Sequence, residues 1–143
     1  MSSFKDLEIA MKRNLILYFA TLFLIVPIDF LFLGVIAKGL FTSQVGDMLG
    51  TVKLAPAILF YLLYVVGILV FVSATSDATW HRTLLYGALF GFFCYMTFEL
   101  TSMSLLKQWS WTVVVVDITW GTFVTALAST LGLLIANWIA ARV

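Results

Sequence analysis

Four apolar stretches of membrane length, joined by short connections, leave this chain few folds to choose from. Residues 15–36, 54–74, 83–105 and 112–139 can each cross about 30 Å of hydrocarbon, which takes roughly 20 helical residues. The last is long enough to tilt or to project from the membrane. Short connections make neighbouring helices antiparallel, so residues 1–143 read as one membrane domain, an all-α integral membrane protein built as an antiparallel four-transmembrane-helix bundle. Composition agrees, with 63% of residues apolar and 10% charged, too little charge to cover a soluble surface.

Charge and cysteine content exclude several function classes. The net charge of +1 gives no electrostatic footprint for nucleic acid. A single cysteine, Cys94, rules out a disulfide framework within the chain and reads as a small buried hydrophobe. The first apolar run is too long for a signal-peptide core and lacks a small-x-small cleavage site, so it reads as a retained signal anchor. Lys5, Lys12, Arg13, Arg82 and Arg142 flank the spans on one side, and Lys38, Lys53 and Lys107 on the other. Five against three places both termini in the cytoplasm, the arrangement expected in a bacterial inner membrane. Trp80 and Trp138 then fit an inner aromatic belt, and Trp109 and Trp111 an outer one.

Two short pieces are expected along the interface. Ser3 with Asp6 reads as a helix start, with Phe4, Leu7 and Met11 on one face behind it. In the first connection Val45, Met48, Leu49 and Val52 recur at helical spacing, against Gly46 and Gly50, which favour an ordered loop equally well. Gly87 and Gly91 form a GxxxG step, and Gly121, Thr125, Ser129, then Gly132, Ala136 and Ala140, repeat small residues four apart. Such rows let helices approach closely, either inside one bundle or at a dimer face.

Three acids, Asp29, Glu99 and Asp117, interrupt the apolar runs with no Lys or Arg inside them to pair with. An ionisable group near a bilayer centre costs about 2.5–3.5 kcal/mol on insertion scales, so such a group marks a functional site by default. Asp29 precedes Lys38 by nine residues, Glu99 precedes Lys107 by eight, and Asp117 follows Trp111 by six. At about 1.5 Å per residue each acid lies roughly 9–14 Å below the outer boundary, in one shared layer. Trp120 shares a helix face with Asp117, and Tyr95 and Ser102 share one with Glu99. Tyr61 and Tyr64 of the second span supply hydroxyls near this depth, and Pro27 removes a backbone bond and kinks the first helix. Three bare carboxylates in such a layer are untenable, so the cluster holds at least one proton, binds a cation, or opens to water. His81 lies on the other side and reads as an interfacial, solvated residue. No nucleophile triad, phosphate-binding Gly loop, zinc motif or haem-attachment motif is present.

The runs Pro56–Tyr64, Gly87–Tyr95, Thr97–Ser102 and Val116–Gly121, with Asp29–Gly34, together resemble the small membrane proteins of domain-of-unknown-function family 2177. The resemblance covers nearly the whole chain and implies a four-helix bacterial inner-membrane protein. Three positions depart from the family pattern: Glu99 stands where Asp is common, Phe32 where Trp is, and Ser102 where Asn is. The family carries no established activity, and no catalytic residue transfers.

Three functions remain open. One is a polar membrane site for a proton, a cation or a small cationic or polar ligand, with transport as one use of it; four short helices are few for alternating access, so that reading expects a homodimer or another membrane-protein partner. Another is an accessory or catalytic subunit in lipid modification, where paired acids act as general acid and base; the chain offers no metal set or nucleophile of its own for that chemistry. The third is a structural or assembly protein whose acids bond helices together.

Overall fold

Backbone amides in hydrocarbon have no water to bond, and this chain meets that demand with helices throughout. The structure, a computed structural model, describes residues 2–142. Helix α1 spans Ser2–Leu31 and passes into a π-helical turn at Phe32–Ile36. Helix α2, Lys38–Val45, and a 3-10 turn, Gly46–Met48, make the first connection. Helix α3, Leu54–Ile68, also ends in a π-helical turn, Leu69–Ser73. Helices α4, Trp80–Leu105, and α5, Trp111–Ala140, complete the chain. Thr79 caps α4 by accepting from the Arg82 amide at 3.2 Å, and Ser110 caps α5 by accepting from the Val113 amide at 3.2 Å. Four helices are long and apolar enough to cross a membrane, as expected.

Packing defines two ends. At the terminal end, Arg13 Nη2 donates to Asn137 Oδ1 at 2.7 Å, tying the start of the first span to the close of α5. Leu17, Leu133 and Ala136 pack there with Ala74 and Ala78 of the α3–α4 connection. The opposite end carries α2 and the α4–α5 turn. Between them, Ile25, Val65, Ile68, Val124 and Ala128 join α1, α3 and α5 in one core. Half of α5's apolar window is buried, against 22–28% for the other three spans, so α5 is the helix the others pack around.

Glycines make that central position attainable. A methyl group at Gly91 would lie 2.7 Å from Thr125 Cβ, and one at Gly87 would collide with the Ser129 hydroxyl. Gly121 lies under the Tyr95 ring, and Gly132 under Thr21. The GxxxG step of α4 is therefore spent inside the bundle, against α5.

The polar N-terminal piece is not a separate interfacial helix. No Gly or Pro breaks the chain before Pro27, so the helix runs unbroken from Ser3 to Ile36 over 34 residues. That is about 50 Å, well beyond the hydrocarbon thickness. Phe4, Leu7 and Met11 lie exposed on the projecting part. The first connection does form a helix, but ahead of the expected residues: it ends at Val45, which is buried, while Met48, Leu49 and Val52 are exposed. The helix continues through Pro27.

Replacing Gly91 with leucine should destabilise the protein by at least about 1–3 kcal/mol through overpacking. Gly34→Ala, where a methyl meets nothing within 4 Å, should leave the thermal midpoint in detergent unchanged.

Candidate functional site

Each acid is delivered to the interior by a different helix, and each is buried: Asp29 from α1, Glu99 from α4 and Asp117 from α5 are 4%, 0% and 8% exposed. The ion pairs among the described residues, Lys12–Glu8 at 3.6 Å and Arg82–Asp77 at 3.3 Å, involve none of them. With no cation in reach, hydrogen-bond donors must make up for lost hydration.

Asp29 is fully served. Trp120 Nε1 donates to Oδ1 at 2.7 Å, and the Tyr61 hydroxyl donates to Oδ2. One α1 carboxyl thus fastens α3 and α5. The Trp120 indole is held flat against Phe32, with ring centroids 4.0 Å apart and planes 7° from parallel. Phe32 thus supplies the stacking surface for the donor indole.

Glu99 and Asp117 form the other half of the layer. Trp109 Nε1 donates to Glu99 Oε2 at 2.6 Å. Glu99 Oε1 is buried and has no hydrogen-bond partner among the described residues, and the Asp117 carboxyl lies against Glu99. Ionised carboxylates only accept, so two buried carboxyls lying against each other fit this interior only by sharing a proton, which then belongs to the pair and not to either residue alone. Asp29 lies within electrostatic reach of Asp117, which discourages a second bare charge in the same layer.

The structure rearranges the expected roles of the neighbours. Trp120 shares α5 with Asp117 but gives its N–H to Asp29. Tyr64 turns away from the acids to Thr125, with hydroxyl oxygens 2.7 Å apart. Tyr95 lies on Gly121 and meets Tyr64 edge to face at 6.3 Å. Neither Tyr95 nor Ser102 hydrogen-bonds an acid through its side chain among the described residues; their shared face with Glu99 on α4 serves packing. Trp109 is the residue that sequence reasoning assigned elsewhere, to the outer belt. It is half-buried because the five-residue turn after α4 folds the chain back over the helix end and directs the indole inward. The shortness of that turn, ten residues after Glu99, is the signal that could have found it. Trp111, its neighbour in the expected belt, is indeed exposed.

The acids lie apart from the open space on the protein. A groove of about 550 Å³ between α3 and α4 is lined by Phe71, Phe90, Phe93 and Cys94, and one of about 470 Å³ between α4 and α5 by Leu84, Phe92, Thr122 and Phe123. Both are apolar. Cys94 is only half-buried in its groove wall. Among the described residues, no three His, Cys, Asp or Glu side chains converge as a metal-ligand set.

A family model described as a predicted membrane protein (DUF2177) matches residues 14–134, a range that holds all three acids. No curated protein and no solved structure matches the chain.

Trp120→Phe keeps the stack on Phe32 but strands Asp29 Oδ1. It should lower stability by about 1–3 kcal/mol in thermal unfolding. Trp111→Phe, at an exposed position, should be neutral by the same measurement.

Proposed function

The chain belongs to DUF2177, a family of predicted membrane proteins, and from that premise we propose that it binds a proton within the bilayer, at the Glu99–Asp117 pair. The observation that carries this reading is the burial of Glu99 and Asp117 against each other, with no ion pair to either among the described residues. A proton shared by two acids can be taken up or released by a small change in their separation, without moving a helix. Trp109 stands at the rim of the pair, half-buried, with its indole on Glu99. Withdrawal of that side chain is the shortest opening of the pair toward solvent, so proton exchange runs past it. The excess of Lys and Arg at the terminal end supports both termini lying in the cytoplasm of a bacterial inner membrane, with the pair in the outer half. Carrying the proton across the membrane would add a second requirement, a homodimer or another partner, because four helices offer little room for alternating access.

Asp29 favours a second reading for its own part of the layer. Both of its oxygens are satisfied by donors on other helices, an arrangement suited to fastening the bundle.

Proteoliposomes with an entrapped pH dye test the assignment. Wild-type protein should show proton uptake after a pH jump, and Glu99→Gln and Asp117→Asn should abolish it. Asp29→Asn should lower the thermal midpoint and retain uptake. Wild-type uptake by both pair variants would overturn the proposal.

A further inference from the structure

Hydroxyls on membrane helices usually satisfy themselves by bonding a carbonyl one turn back, and this chain does so repeatedly. Thr21 bonds the Leu17 carbonyl at 2.8 Å, Thr97 that of Phe93 at 2.7 Å, and Thr122 that of Ile118 at 2.8 Å. Three hydroxyls depart from the pattern. Ser73, Thr83 and Thr130 are 0%, 0% and 8% exposed, and their oxygens have no hydrogen-bond partner among the described residues.

Local geometry explains two of the departures. The carbonyl one turn before Thr130 belongs to Ala126 and already receives the Ser129 hydroxyl at 3.3 Å. The carbonyl one turn before Ser73 belongs to Leu69 and receives the Ala74 amide at 2.9 Å, closing the π-helical turn.

Packing places the three on neighbouring elements. Gly87 of α4 packs on Ala126 of α5. One turn from that contact toward the terminal end come Thr83 on α4 and, on antiparallel α5, Thr130. The turn Leu69–Ser73 packs against both helices and ends on Ser73. In the connection that follows, Arg82 donates to the Thr75 hydroxyl at 3.1 Å and pairs with Asp77 at 3.3 Å.

We infer that Ser73, Thr83 and Thr130 form a binding site for an internal water molecule. Three hydroxyls provide donors and acceptors for the roughly three hydrogen bonds a buried water makes. An unpartnered hydroxyl in this interior carries its full desolvation cost, and one shared water relieves all three. The site stands independently of the carboxyl pair, thirteen residues further along α5 from Asp117.

Isosteric replacement reads the site by the sign of its effect. Thr83→Val and Thr130→Val should each lower the thermal midpoint by a few degrees, and the double variant should fall no further than the worse single, because both lose the same water. A midpoint raised or unchanged in either variant would overturn the inference, since removing an unpartnered hydroxyl relieves strain and costs nothing. Water-to-amide cross-relaxation in the wild-type protein gives a second readout that needs no variant. A long-lived water signal at the amides of Thr83 and Thr130 is expected, and its absence from both would equally overturn the inference.

Discussion

The burial of two carboxyls against each other, Glu99 of α4 and Asp117 of α5, is the constraint that the rest of the bundle must meet. A charged carboxylate taken from water into hydrocarbon is affordable only with a counter-charge, a full set of donors, or a proton. No cation reaches these two acids, and a single indole, Trp109, serves one oxygen of Glu99. A shared proton removes one charge and supplies the missing donor in the same step. Along the same pair of helices, Gly91 and Gly121 let α4 and α5 approach closely.

Asp29 shows the other solution to the same problem. It receives an indole N–H and a phenol hydroxyl from two different helices, so its bonds double as tertiary contacts. Phe32 adds to this by stacking on the donor indole. The acids divide into a carboxyl fastened by two donors and a buried pair with one indole donor between them.

Much of this was legible in the sequence, for physical reasons that also mark where legibility stops. Hydropathy and length determine spans, and the observed helices end close to the expected boundaries. Counting residues from Lys38, Lys107 and Trp111 gives the acids one expected depth, since helix rise is nearly constant, and all three are buried. Partner choice was not legible, because it depends on how each helix is rotated about its axis. Trp120 therefore reads as a neighbour of Asp117 and proves to serve Asp29, and Tyr64 meets Thr125 in place of an acid. Trp109 hides its role for another reason: an indole next to a span boundary fits an interfacial belt unless the tight turn beside it is taken into account. The Gly87–Gly91 step was ambiguous until Ala126, Ser129 and Thr125 stood opposite it.

Difference infrared spectroscopy on the protein in lipid addresses the shared proton most directly. A protonated carboxyl C=O band should be present at neutral pH, shift in D₂O, and disappear in both Asp117→Asn and Glu99→Gln while persisting in Asp29→Asn. A spectrum at neutral pH showing only ionised carboxylates would contradict the account.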